Sequence, residues 1–114
     1  CAVQAMGEAY SLVRRFGVAP QVLHDVMTEG LFSAPAYKVY GRIMADEAYD
    51  SVGFTTRLAL KDMSLVLAAG DMARVPLPSA SLLRDRLLAA IAHGDADRDW
   101  AVLAREQART AGLE

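Results

Sequence analysis

The chain has 114 residues, 54% of them hydrophobic and 23% charged, with a formal net charge of −2. That length supports one domain with a real core, the composition excludes wholesale disorder, and the slightly acidic balance leaves no basic footprint for nucleic acid. A single cysteine, Cys1, and two histidines, His24 and His93, exclude an internal disulfide, a multi-cysteine zinc site and a His-rich metal centre.

Helix formers dominate, with alanine and leucine together about a third of the residues, and no convincing strand stands out. The weak candidate, Tyr37 to Tyr40, is surrounded by proline, glycine and helical spacing. Val3, Met6, Tyr10 and Val13, spaced three and four apart, predict a first helix from the start to about Arg15, with Gly17 as its left-handed cap. Pro20 fits the first turn of a second helix, whose apolar face is Val22, Leu23, Val26 and Met27 and which Gly30 ends. Ser33 is placed to cap a third helix, with Pro35 just inside it, running to about Met44.

An acidic, turn-like stretch follows, and then the longest helix, from about Thr55 to Ala73. Leu58, Leu60, Met63, Leu65, Val66, Leu67 and Met72 make it apolar nearly all round, which predicts a helix packed on several sides. Pro76 and Pro78 stop it. Ser79 or Ser81 starts the next helix, with Leu83, Leu87, Leu88 and Ile91 on one face and Gly94 as terminator. Asp97 or Asp99 caps the last one, in which Trp100, Leu103 and Ala104 face inward. The reading is an all-α fold, a single domain of about six helices over residues 1–114.

No segment carries the roughly 18 uninterrupted apolar residues of a membrane span, and the most apolar stretch, Leu58 to Ala69, is broken by Lys61, Asp62 and Ser64. No basic region followed by an apolar run marks a signal peptide, so no membrane partner and a cytoplasmic setting are expected. The chain opens on CAVQAMGEAY, without methionine or a capping residue, and is expected to be part of a longer polypeptide.

Chemistry-bearing motifs are scarce. The sequence has no glycine-rich phosphate loop, dinucleotide fingerprint, nucleophile elbow or HExxH. Cys1 has no sequence neighbour to lower its pKa, His24 is expected on a helix surface, and His93 is expected in a last turn, facing the negative end of the helix dipole. The longest helix is different, because Lys61 and Asp62 interrupt its most apolar part. Adjacent helical residues point about 100° apart, so the two do not pair well with each other. Arg57, Lys61, Ser64 and Asp71 share a polar stripe, whereas Asp62 projects beside Leu58 and Ala69. A carboxylate on that apolar side must find a partner or reach a cleft.

The run Phe54–x3–Leu58–x2–Lys61–Asp62–x2–Leu65, followed by Pro76–Leu77–Pro78, resembles the C-terminal domain of the β-hydroxyacid dehydrogenases. That family includes 3-hydroxyisobutyrate dehydrogenase, tartronate semialdehyde reductase and the glyoxylate/succinic semialdehyde reductases, and its helical domain is of the 6-phosphogluconate dehydrogenase C-terminal type. Gly7–Glu8–Ala9 with Gly17 and Pro20 to Val26 resemble the family's first helical hairpin. Gly94–x2–Asp97–x–Asp99–Trp100–x2–Leu103 is similar to its closing helix.

The resemblance implies a two-domain enzyme: a Rossmann domain binding NAD or NADP, joined to an all-α domain that covers the substrate cleft and makes subunit contacts. It implies that Lys61 reaches the cofactor near the nicotinamide, and that Phe54 and Asp62 lie at the substrate cleft. The family's catalytic lysine, in a glycine-rich stretch ending K-x-x-N, would precede Cys1, so no catalytic residue and no metal site is expected within these 114 residues. The implied function is the cleft-covering and oligomerisation domain of an oxidoreductase for a small 3-hydroxy acid or semialdehyde, inactive on its own. The alternative is a self-associating helical module without catalysis, or a member of the imine reductase type, reducing C=N. Implied partners are the Rossmann domain, a second copy of the chain and a small-molecule substrate.

Overall fold

The computed structural model describes residues 1–113, over which helix follows helix. The elements are α1 (Ala2–Arg15), α2 (Pro20–Glu29), α3 (Pro35–Asp46), α4 (Thr56–Ala73), α5 (Pro78–Ala92), a 3₁₀ turn (Trp100–Val102) and α6 (Leu103–Thr110). Among the described residues there is no strand, only one isolated antiparallel bridge between Thr55 and Asp99. The all-α reading holds. The last helix differs from expectation in opening as a tighter 3₁₀ turn, which Asp99 caps by accepting from the Ala101 N–H.

Proline rather than serine opens three of the helices. Pro20, Pro35 and Pro78 each sit in the first turn, where the missing N–H costs nothing. Ser33, Ser79 and Ser81 therefore do not cap: the preceding residues are Ala34 for α3 and Leu77 for α5, neither with a side-chain bond. Only α4 among the α-helices has a side-chain cap, the Thr55 hydroxyl accepting from the Leu58 N–H at 3.2 Å. Arg74, in the left-handed region at φ 59°, closes α4 two residues before Pro76.

The core sits between α1, α3, α5 and α6. Val3, Met6 and Tyr10 of α1 are buried as predicted, with Leu83 and Leu87 of α5 and Val102 and Leu103 at the head of α6. Gly7 allows α1 and α6 to touch backbone to backbone, since a Cβ there would stand 3.1 Å from the Ala104 Cα. On α5, Leu88 is 39% exposed and its place in the core is taken by Ala90.

Two expectations fail outright. His24 is buried, its Nδ1 3.3 Å from the Tyr10 hydroxyl. The pair fits because residue 41 is glycine: a Cβ there would lie 2.9 Å from His24 Nδ1 and 3.0 Å from the Tyr10 oxygen. With His24 inward, Val22 and Val26 turn out to solvent and only Leu23 and Met27 pack against the core. The second failure is α4. It packs chiefly on α5, with the 3₁₀ turn at its head, and Leu58, Leu65, Val66 and Met72 are exposed, Met72 at 88%.

Two buried carboxylates fasten the loop that precedes the 3₁₀ turn. Asp95 accepts from Arg98 Nε at 2.9 Å and from Arg105 at 3.2 Å, with Arg109 at 3.4 Å. Glu106 pairs with Arg109 and with His93 Nδ1 at 2.7 Å. Pairing offsets the cost of burying these charges, and it holds residues 94–99 in place beside the head of α4.

Candidate functional site

The head of α4 is clamped by that loop. The Thr56 and Arg57 N–H groups donate to the carbonyls of Arg98 and Ala96 at 2.9 and 3.0 Å, and the Trp100 N–H donates to the Phe54 carbonyl at 2.9 Å. The Thr56 hydroxyl reaches the Arg98 carbonyl at 3.1 Å. A helix start held this firmly fixes the direction in which each side chain of its first two turns leaves.

Between α3, α4, α5 and the 3₁₀ turn lies a cleft of about 340 Å³, lined by Tyr40, Phe54, Asp62, Met63, Leu87 and Trp100 among others. Its wall is aromatic: the Tyr40 and Trp100 rings meet edge to face at 5.1 Å, and Phe54 and Trp100 do so at 6.0 Å, a geometry worth more than area alone. Asp62 is the only charged residue on that lining. It is exposed, at the rim, and bonded to no other described residue. The Trp100 Nε1 is buried without a hydrogen-bond partner among the described residues.

Phe54 and Asp62 are thus brought to one cavity, and the carboxylate on the apolar side of α4 does reach a cleft. Lys61 is not part of the lining. It leaves the helix about 100° round from Asp62, exposed and with no ion pair to a described residue, on the same stripe as Arg57, Ser64 and Asp71, all exposed. The sequence does not single out Tyr40 and Trp100 as site residues: Tyr40 falls in the weak strand candidate and Trp100 reads as core. What unites them, a shared cavity wall built from α3 and the 3₁₀ turn, has no signature in local spacing.

The arrangement is a helical fold with an apolar cleft between its elements, an uncommitted anion on the lining and an uncommitted cation beside it. In fold it is similar to the crystal structure of 3-hydroxyisobutyrate dehydrogenase (ygbJ) from Salmonella typhimurium, with a TM-score of 0.83 at 24% identity over 91% of this chain and 36% of that one. Residues 1–106 match the family model described as NAD-binding of NADP-dependent 3-hydroxyisobutyrate dehydrogenase, and the chain belongs to that family.

Its relatives include an uncharacterized oxidoreductase of Bacillus subtilis, YfjR, 33% identical over 89% of this chain and 35% of the relative. The chloroplastic glyoxylate/succinic semialdehyde reductase 2 of Arabidopsis thaliana is 26% identical over 87% of this chain and 27% of its own length. The chain therefore spans about a third of the length of the proteins it matches. No helix among the described residues is long and apolar enough to cross a membrane.

Proposed function

We propose that this chain is the C-terminal helical domain of an NAD(P)-dependent oxidoreductase that acts on a small 3-hydroxy acid or semialdehyde. Its role is to close the substrate cleft from one side and to take part in subunit contacts. The dinucleotide-binding Rossmann domain and the catalytic lysine belong to a part of the protein outside these 114 residues, which are therefore inactive alone. Family membership supports this reading, as does the share of each relative that the chain covers.

The observation that carries it is the juxtaposition at the head of α4: an aromatic cleft rimmed by unpaired Asp62, with unpaired Lys61 one residue away. These residues fit an edge contact to the cofactor rather than a cradle for it, since none of the glycine-rich fingerprint is present. NAD(P)H, when bound, supplies the hydride. Lys61 contributes a fixed positive charge and hydrogen-bond donors at the cofactor's nicotinamide end. Asp62 orients polar groups of the substrate at the rim, and Phe54 helps to exclude water from the crevice.

The second reading, a self-associating helical module without catalysis, is favoured by the exposed apolar residues of α4. Both readings bury that face against a partner, so association does not separate them. Turnover does. In the full-length protein, Lys61→Ala lowers kcat/KM for NAD(P)H-dependent carbonyl reduction by roughly tenfold or more if Lys61 serves the cofactor. As an exposed residue of a mere association module, it changes stability by less than about 0.5 kcal/mol and touches no reaction. Wild-type turnover that survives Lys61→Ala unchanged overturns the assignment of that residue.

A further inference from the structure

We infer that Asp99 is the positioning residue of the cleft: its buried carboxylate ties together the two backbone segments that carry Phe54 and Trp100, and so sets how these two rings face a small carbonyl substrate. The substrate half of this inference rests on the oxidoreductase reading; the geometric half does not.

Asp99 is fully buried, at 0% exposure, and no Lys or Arg among the described residues pairs with it. Its negative charge is met by backbone N–H groups from two segments far apart in sequence. Oδ1 accepts from Ala101 at 2.9 Å, while Oδ2 accepts from Gly53 at 3.0 Å and from Phe54 at 3.3 Å. The Asp99 N–H in turn donates to the Tyr49 carbonyl at 2.9 Å.

A cap for the 3₁₀ turn needs only Oδ1. Anchoring α4 does not need Asp99 either, because the Thr56 and Arg57 N–H groups are already bonded to the Arg98 and Ala96 carbonyls. What depends on Oδ2 is the Gly53–Phe54 turn, whose N–H groups have this carboxylate as their acceptor. The side chain that leaves that turn lines the cleft, and the residue next to Asp99 is Trp100, whose ring meets the Phe54 ring edge to face on the same lining. Only a carboxylate presents an acceptor to both segments. Asparagine would aim an NH₂ donor at one set of N–H donors.

The test compares Asp99→Asn, Asp99→Ser and Thr56→Val in the full-length protein. Serine retains an oxygen to cap the 3₁₀ turn but is too short to serve the Gly53–Phe54 turn as well. Thr56→Val is a stability control that leaves the Asp99 carboxylate in place. Backbone amide signals of Gly53 and Phe54 and the indole N–H signal of Trp100 are followed by NMR, beside steady-state kinetics with NAD(P)H and a panel of small semialdehydes. All three variants are expected to lower Tm. Only the two at Asp99 shift the Phe54 and Trp100 signals and raise KM, by about fivefold or more, with kcat changed by less than about twofold.

Wild-type signals and KM in Asp99→Ser, despite a lower Tm, would reduce Asp99 to a cap and overturn the inference. Shifted signals with an unchanged KM overturn its substrate half. If the wild-type protein reduces no member of the panel, the oxidoreductase reading fails instead, and the NMR comparison still decides whether Asp99 positions the cleft. Should Asp99→Asn not fold, Asp99→Ser carries the same comparison.

Discussion

Two apolar surfaces have opposite fates in this molecule. Where α1 meets α6, Val3, Met6 and Tyr10 disappear against Leu103, Ala104 and Ala108, and glycine at position 7 brings the backbones together. Along α4, Leu58, Leu65, Val66 and Met72 remain in solvent. Burial of apolar surface is the main favourable term in folding, so the first region is completed by the chain itself, and the second offers surface that a partner can complete. Hydrophobicity along a helix reports that a surface is to be covered, not what covers it.

The sharpest way to break that comparison is in the core. Leu103 is 1% exposed, and Leu103→Ala is expected to cost about 2–5 kcal/mol through lost transfer energy and the cavity left behind. Urea unfolding of the variant beside the parent measures it. A loss no larger than that of an exposed leucine would mean that the α1–α6 region is not the stabilising half. Gly41→Ala comes next. The new Cβ would meet His24 Nδ1 at 2.9 Å and the Tyr10 oxygen at 3.0 Å, so one ring must shift, at about 1–3 kcal/mol. The same unfolding curves report it, and a neutral result would show that the Tyr10–His24 pair yields freely.

These sites also show what the sequence discloses. Helix spacing and proline punctuation place all six helices, because period and breakers are local properties. His24 reads as a surface residue because its inward turn is decided by Gly41, seventeen positions away, and by a hydroxyl on α1; neither appears in the pattern Leu23–His24–Asp25. The α4 pattern is apolar nearly all round, yet packing on several sides within the chain does not follow, since a face to be covered by a partner leaves the same sequence signature as one buried by the chain itself. In the candidate site, Lys61 and Asp62 stand out in the sequence by interrupting an apolar helix, while Phe54 and the role of each come from resemblance to a family. Tyr40, and the reach of Asp99 across to the Gly53–Phe54 turn, are tertiary facts with no local mark.

A smaller effect lies in the titration of Tyr10. Burial pushes its hydroxyl up from 10.0 to about 12, opposed by the positive charge of Arg42 and reinforced by Asp46. The unfolded chain ionises this group first, so the stability it contributes is whole below pH 10 and is lost as pH rises through 10 toward 12. Burial raises the Tyr49 hydroxyl in the same direction, with Glu47 adding to it. Thermal unfolding between pH 9 and 12 is expected to show a falling Tm, with a shallower fall in Tyr10→Phe. Identical slopes in parent and variant would mean that Tyr10 is not held protonated by the packed half of the molecule.

The smallest stability change is the most telling about the bare half. Leu65 is 60% exposed on α4, and in a monomer Leu65→Gln removes almost no buried surface, so unfolding free energy at high dilution should move by less than about 0.5 kcal/mol. If a second copy covers that face, the same substitution lowers the association constant, and sedimentation velocity over a concentration series shows the population shifting toward monomer. The two measurements pull apart only when burial arises between chains and not within one. A variant that loses both stability and association would place Leu65 in the fold's own core, against its exposure. A variant that loses neither would show that no second copy covers this face of α4.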